Sequence, residues 1–310
     1  MSRKQQTLKS SVRLEGIGLH TGEKSSIEIH PAPEDTGLVF LTRYQGKERA
    51  IPYTIDYITD TRNNITVSDG VVSYKTVEHM MGALYGLGID NAILEFTGPE
   101  MPIADGSAAP FVEAFLKVGI LTQKSEKKTL RLVKSLWVTK EDKFLVGLPF
   151  YALKINYTIS FPNSPIGTQT FQLNMTDENA FSSIAQARTF GFLEDIDYYQ
   201  KNGLVLGGGF DNVHVYSRKE NRSINGARYD DEPVRHKILD LLGALALLPY
   251  DIEGFLVSYK GGHTLDVDFV RLLSGYAEKQ REEEKVFTEG YSYQISGLLH
   301  LEPRVAHLAS

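Results

Sequence analysis

Apolar and polar positions alternate with a period of two over residues 7–58. Two turn-forming stretches break the alternation, Glu15-Gly16-Ile17-Gly18 and Pro31-Ala32-Pro33-Glu34-Asp35-Thr36-Gly37. That pattern predicts short antiparallel strands. A further strand over 71–74 leads into an amphipathic helix over 76–85, with Thr76 as N-cap and Gly86 and Gly88 as its stop. A strand over 91–96, a Pro/Gly turn region over 99–107 and a helix over 108–118 complete the first half. Gln123-Lys124-Ser125-Glu126-Lys127-Lys128 is polar and reads as a linker. Beyond it the order recurs, with strands near 129–139, 144–148, 152–160 and 168–173, then a helix over 177–186. Residues 188–192 and 203–212 interrupt with a short helix and a Gly-rich turn. The best-defined helix spans 232–248, with Asp230 or Asp231 to cap it, Pro233 in its first turn and Pro249 just past its end. A strand over 257–259 opens into Lys260-Gly261-Gly262-His263, and a last long helix spans 266–284. No direct repeat is visible, yet both halves run strands first and helices second. The expected architecture is α+β, divided into 1–124 and 125–310.

Composition narrows the chemistry. A chain of 310 residues exceeds one small core, which favours two domains. The net charge of −6 carries no block of like charge, so no nucleic-acid-binding face is expected. An anionic substrate would have to be met by a local Lys/Arg cluster. The absence of cysteine excludes disulfides, thiolate metal sites and a cysteine nucleophile, and fits a reducing cytoplasm. Met1-Ser2-Arg3-Lys4-Gln5-Gln6 leads into no apolar leader segment, and no apolar run approaches the ~20 residues that span a bilayer. A soluble intracellular protein is expected.

Two segments could carry chemistry together. In Thr76-Val77-Glu78-His79 a carboxylate stands beside an imidazole early in a helix. Val77, Met80, Met81 and Leu84 give that helix an apolar stripe, so it is packed, and a position near the N-terminus favours neutral imidazole. Alone, the pair reads equally as a surface Glu beside a half-buried His. His236 and Asp240, four residues apart, share one helix face. The apolar stripe of that helix is Val234, Ile238, Leu241, Leu242, Leu245 and Leu248, while His236, Asp240, Ala244 and Leu247 follow another line. A carboxylate there is costly to bury without a counter-charge or metal; the other reading is a hydrogen-bonded surface pair. His79, His236 and Asp240, with Glu78 left unliganded, would make the minimal kit of a zinc hydrolase. His263, after two glycines, is either held toward a ligand or an ordinary loop residue. Gly207-Gly208-Gly209 lacks the Gly-Lys-Ser/Thr of a phosphate loop. His30, His214, His300 and His307 have no carboxylate or ligand-spaced neighbour in the sequence and read as structural.

Several separated segments are similar to one family and stand in its order. They are Val12-Arg13-Leu14-Glu15-Gly16-Ile17-Gly18-Leu19-His20-Thr21-Gly22, Thr76-Val77-Glu78-His79, Gly88-Ile89-Asp90-Asn91, Gly98-Pro99-Glu100 through Asp105-Gly106-Ser107-Ala108, Ala187-Arg188-Thr189-Phe190-Gly191, Arg235-His236-Lys237-Ile238-Leu239-Asp240 and Gly262-His263. Over residues 6–275 the chain resembles the UDP-3-O-acyl-N-acetylglucosamine deacetylases, zinc amidases of lipid A biosynthesis in Gram-negative bacteria. The resemblance implies two similarly folded α+β domains, each a small sheet with two helices, the helices sandwiched between the sheets, and a βαβ-type insert near 191–217. It implies one catalytic Zn²⁺, with Fe²⁺ as the alternative ion, on His79, His236 and Asp240, and a water completing the site. Glu78 would take the proton from that water. His263 would stabilise the oxyanion and protonate the leaving amine, and Thr189 would hydrogen-bond the tetrahedral oxygen. His20 would lie near the metal, Lys237 and Lys260 would meet the nucleotide diphosphate, Phe161 the nucleotide and Phe190 the acyl chain. The insert would wall an apolar passage lined by Phe192, Leu204, Val205 and Leu206. The implied partner is the small molecule UDP-3-O-acyl-GlcNAc, and the implied state a cytoplasmic monomer without nucleic acid or transmembrane segment.

Two departures stand out. Ala244 occupies a position where the family carries an Asp that holds the catalytic His, and an Asn-rich stretch is replaced by Thr264-Leu265-Asp266-Val267-Asp268. Imidazolium without a carboxylate neighbour has a lower pKa, so less of His263 is protonated at neutral pH and it is a weaker acid-side partner there. Asp266 or Asp268 could substitute if His263 folded back. Two other readings remain open, a catalytically impaired homologue that binds a UDP-sugar or acyl chain, and a zinc amidohydrolase of another N-acetyl amino sugar.

Overall fold

The computed structural model describes residues 3–298, so His300 and His307 lie outside the described residues. Met1–Val270 forms one compact unit, and Arg271–Ser310 a second that carries the remainder of the C-terminal helix. Within the first unit the chain runs through β1 (Lys4–Leu8), β2 (Val12–Ile17), β3 (Lys24–Pro31), β4 (Leu38–Tyr44) and β5 (Lys47–Pro52). A small sheet of β6 (Ile58–Asp60), β7 (Thr66–Ser68) and β8 (Ser73–Tyr74) follows, then α1 (Glu78–Gly86), β9 (Ala92–Thr97) and α2 (Ala109–Val118). The chain continues with β10 (Ile120–Glu126), β11 (Thr129–Arg131), β12 (Leu136–Lys140), β13 (Lys143–Leu148), β14 (Leu153–Phe161), β15 (Gly167–Asn174) and α3 (Ser182–Ala185). Last come β16 (Phe190–Phe192), α4 (Ile196–Lys201), β17 (His214–Ser217), β18 (Arg222–Ser223), α5 (Glu232–Leu245), β19 (Asp251–Tyr259) and α6 (His263–Leu298). The α+β class expected from the sequence is the class observed.

The two main sheets have one topology. The first runs β2-β3-β9-β4-β5 and the second β12-β13-β19-β14-β15, with β11 beside β19. In each, two hairpins flank a late strand that pairs antiparallel with the first hairpin and parallel with the second. One face of each sheet is buried. Ser25, Ile27 and Ile29 alternate inward on β3, and Leu153, Ile155, Tyr157 and Ile159 on β14. That period fixes register, because a one-residue slip would turn the apolar set outward.

Helices α1 and α5 pack on each other, and α5 also lies on β14 and β15. Their approach depends on glycine. A Cβ at Gly82 would come within 2.7 Å of Leu239 Cδ1, and one at Gly243 would collide with the Glu78 carbonyl oxygen. Between the halves of the second sheet's sequence, β16 and β17 pair in parallel with α4 between them.

Several expectations are corrected. The first turn lies beyond Gly18, because Glu15–Gly16 continue β2 against β3. Residues 71–72 precede β8 and lie outside it. Thr76 does not cap α1: its backbone is left-handed (φ 57) and its hydroxyl donates to Glu100 Oε1 at 2.6 Å. Most of the expected linker is β10, paired with β1 across the whole first half. The helix over 177–186 shrinks to the four residues of α3, and α6 begins at His263, three residues earlier than expected. Asp231 caps α5 without a side-chain cap bond; its carboxylate instead accepts from Arg235 Nε.

Candidate active site

Helix α5 is buried on nearly every side, so the polar groups along it need internal partners. Glu232 supplies the anchor at its start. Its carboxylate is fully buried and accepts from Arg188 Nε (2.8 Å), the Arg188 and Arg228 backbone N–H groups (3.0 and 2.8 Å) and His214 Nδ1 (2.9 Å). Burial alone would raise this carboxyl, but the His214 and Arg188 hydrogen bonds outweigh it and hold it well below the usual range. The result fixes 187–189 against the helix. His214, read from sequence as lacking a carboxylate neighbour, therefore has one in space, and its role is structural. His30 likewise lies 3.4 Å from Glu95.

One turn further, His236 Nδ1–H donates to the Ala187 carbonyl (2.9 Å), which leaves Nε2 as a lone-pair donor. Nε2 lies 3.3 Å from Asp240 Oδ1. From α1, His79 Nε2 approaches the same oxygen at 3.7 Å, and the two imidazoles meet edge to face with centroids 4.7 Å apart. Lys237 Nζ donates to Asp240 Oδ2 (2.7 Å), while Oδ1 is buried without a hydrogen-bond partner. One donor atom from each of His79, His236 and Asp240 lies within 4.8 Å of the others. Tetrahedral ligands about 2.1 Å from one cation would stand about 3.4 Å apart, close to the spacings here. The orphaned Oδ1 and the two free Nε2 atoms are what a divalent cation would satisfy.

Electrostatics agree with that reading. Burial and then His236 push His79 down to about 3, and burial also lowers His236, so both imidazoles are neutral, the form a metal ion requires. Burial opposes ionisation of Asp240, but the Lys237 ammonium on Oδ2 overrides it and keeps the carboxylate charged. Burial and then the Asp240 charge raise Glu78 to about 8. Glu78 Oε2 accepts from the Ile65 N–H (3.0 Å), and Oε1 lies 3.8 Å from His263 Nε2. His263, the first residue of α6, also stands 3.9 Å from Asp240 Oδ2, and burial lowers it to about 4.

These groups close one end of a cavity of about 460 Å³. Its other end is apolar, lined by Leu19, Phe192, Ile196, Tyr199, Val205, Phe210, Val213 and Val215. Leu19, Val213 and Val215 form a buried cluster with Ile103, with Val205 packed against it. A hollow of about 630 Å³ elsewhere, lined by Arg3, Asp90 and Asp251, has those charges paired with one another.

A sequence model for UDP-3-O-acyl N-acetylglycosamine deacetylase matches residues 5–274. Among relatives named UDP-3-O-acyl-N-acetylglucosamine deacetylase, that of Thioalkalivibrio sulfidiphilus is 40% identical over 273 residues, 87% of this chain and 90% of the relative. That of Syntrophus aciditrophicus is 39% identical over 272 residues (87% and 85%), and one from Haemophilus influenzae is 36% identical over 303 residues (96% and 99%). The chain belongs to this deacetylase family.

Of the residues expected in the deacetylase site, the cavity wall includes His20, Glu78, His79, Phe161, Thr189, Phe190, His236, Lys237, Asp240 and His263. Phe161 packs edge-on against Phe190 (5.7 Å), and Phe190 against His236 (6.4 Å). Lys260 is not on that wall; its ammonium donates to Asp142. Of the expected apolar linings Phe192 and Val205 are present, whereas Leu204 and Leu206 are not, and Leu206 is half exposed. Among the described residues no helix is long and apolar enough to cross a membrane.

Sequence reasoning missed Glu100. Fully buried, it accepts from the His20 and Thr21 N–H groups, the Thr21 hydroxyl and Thr76, so it ties the His20 loop to the entry of α1. It stood in a quoted motif, Gly98-Pro99-Glu100, but nothing local signalled its partners.

Proposed function

We infer that this member of the deacetylase family is a metal-dependent amide hydrolase that removes the N-acetyl group of UDP-3-O-acyl-N-acetylglucosamine in lipid A biosynthesis. The observation that carries the reading is the convergence of His79, His236 and the unpartnered Asp240 Oδ1 beside an unliganded, high-pKa Glu78. His79, His236 and Asp240 would hold the ion, and two imidazoles with one carboxylate suit Zn²⁺, with Fe²⁺ the competitor. A bound divalent cation supplies Lewis acidity toward the amide carbonyl and acidifies water.

The chain's own residues account for the rest. Glu78 accepts a proton from the attacking water, a task suited to a carboxyl raised toward neutral pH. Its Oε2 is pinned by Ile65, which leaves Oε1 to work beside His263. His263, kept neutral in the resting site by burial, relays to the leaving amine the proton that Glu78 has taken, and the Thr189 hydroxyl donates to the developing oxyanion. His20 borders the reacting end, Lys237 serves the diphosphate, and Phe161 packs on the nucleotide. Phe190 and the 191–217 insert take the acyl chain. We further propose division near residue 124 into two α+β domains, and a cytoplasmic monomer.

Deacetylation of this substrate by metal-reconstituted protein tests the reading, run beside Glu78→Gln. Retention of activity in Glu78→Gln would overturn the base assignment, and an inactive wild type would favour an impaired homologue. The apolar branch favours an acylated sugar over a free one. Equal turnover of UDP-N-acetylglucosamine would therefore argue for another amino-sugar substrate.

A further inference from the structure

Glu100 follows β9 and is fully buried. Its carboxylate accepts from two segments far apart in sequence. From the turn after β2, the His20 N–H reaches both oxygens at 3.0 Å, and the Thr21 N–H and hydroxyl reach Oε2 at 2.8 and 2.9 Å. Two successive main-chain N–H groups on one anion form the kind of concavity that binds free anions, here filled by the chain itself. Gly18 leaves room for it, since a Cβ there would stand 2.4 Å from Glu100 Oε2. From the segment before α1, the Thr76 hydroxyl donates to Oε1 at 2.6 Å. The Met101 N–H also bonds the Lys75 carbonyl at 3.0 Å, so the two chains run side by side at this point. Thr76 is left-handed (φ 57), a conformation that a β-branched residue keeps only where its surroundings hold it. His20 and Thr76 line the catalytic cavity, and Glu100 stands behind them.

We propose that Glu100 is a positioning residue of the reaction, holding the left-handed turn at Thr76 and with it the placement of Glu78 and His79. This rests on the reading of Glu78 as base and His79 as metal ligand. The turn at Thr76 sets the direction in which Val77 enters α1, and Glu78 is the first residue of that helix. Ile65 supplies the other restraint on this entry: its carbonyl accepts from the Val77 N–H (3.4 Å) and its N–H donates to Glu78 Oε2 (3.0 Å). Without the Thr76 hydrogen bond the turn can relax out of the left-handed region, which swings the first turn of α1. Glu78 Oε1 and His79 Nε2 then move together, and a misplacement of about 1 Å can cost ~100-fold in rate. The same carboxylate fixes the main chain of His20, so one buried group sets two parts of the cavity wall. Glu100 does not line the cavity and acts only through these neighbours.

The test measures kcat, KM, the Zn²⁺ dissociation constant and the melting temperature of the full chain and of three variants. Glu100→Gln keeps the shape but replaces one acceptor oxygen by a donor amide. Thr76→Val removes only the hydroxyl, and Thr76→Ser keeps it. Glu100→Gln and Thr76→Val should each lose about 10- to 100-fold in kcat at saturating Zn²⁺ and bind Zn²⁺ about 10- to 100-fold more weakly, the range for a lost support behind a metal site. KM should change less than kcat, the mark of an effect on the transition state. Thr76→Ser should recover both kcat and Zn²⁺ affinity. The weakened metal binding separates these variants from Glu78→Gln, which leaves the ion in place. A lower melting temperature with kcat and Zn²⁺ affinity unchanged would make Glu100 structural only and overturn the proposal. So would a Thr76→Ser protein as impaired as Thr76→Val. If Glu100→Gln does not fold, the two Thr76 variants decide. A wild type that binds Zn²⁺ but leaves UDP-3-O-acyl-N-acetylglucosamine intact sinks the functional reading alone, and the Zn²⁺ affinities still decide the role of Glu100. A wild type that binds no Zn²⁺ overturns both.

Discussion

Two buried polar clusters sit two turns apart on α5, and they are built on opposite plans. At the start of the helix Glu232 is saturated by Arg188, His214 and the Arg228 N–H, so nothing is left for a ligand. In the middle, Asp240 keeps one oxygen without a partner, and Glu78 sits beside it with its ionisation suppressed. Both clusters cost desolvation energy. The first recovers it inside the chain and contributes stability, whereas the second recovers it only when something binds. Saturation distinguishes scaffold from chemistry here better than burial, which is nearly the same in both.

The sharpest break of that contrast comes at Glu78. Glu78→Gln should lower kcat by about 10²–10⁴-fold, the range for a lost general base. Its metal content should stay at one ion per chain, and its melting temperature should not fall. A large drop in melting temperature would place Glu78 with the scaffold instead. Glu232→Ala should do the reverse, costing about 3–5 kcal/mol of stability at pH 7 by leaving Arg188 buried without its partner. The folded-state pKa of Glu232 is depressed from 4.5, so its contribution is present above that value and lost as pH falls through the acid range. Chemical denaturation at pH 7 and at progressively lower pH should show the gap between wild type and variant narrowing. A gap that widened in acid would contradict the assignment.

Metal linkage tests the unsaturated cluster directly. Zn²⁺ at 100 times its dissociation constant should stabilise the chelated wild type by about 2.7 kcal/mol and leave His236→Ala unmoved. Equal stabilisation of both proteins would mean that the ion binds elsewhere. The smallest effect concerns the apolar branch. Val213→Phe should cut kcat/KM for long-chain substrates by an amount worth about 1–3 kcal/mol, with short chains nearly unaffected. A uniform loss across chain lengths would detach Val213 from the passage.

Much of this contrast was readable in the primary structure, and unevenly so. His236 and Asp240 were legible because helical spacing alone aligns them, and α5 has clear ends. The α+β class followed from alternation that burial on one sheet face enforces. What stayed hidden depends on distant partners. Thr76 has the composition of a cap, but Glu100 captures its hydroxyl, and the backbone turns left-handed. Gln123–Lys128 lacks apolar residues, yet β1 supplies the hydrogen bonds that make most of it a strand. Residues 177–186 carry helical composition, but only 182–185 form a helix.

The glycine seam between α1 and α5 has a consequence for how the enzyme can vary. Gly243 abuts the main chain of Glu78, whose neighbour His79 offers one of the three donors. The backbone therefore acts as a caliper, its jaw opening set where no side chain intrudes. One added carbon at position 243 would spread the jaws, shifting base and donor in a single movement while every reactive group kept its identity. Drift in this enzyme is thus constrained at a place that touches neither ion nor sugar.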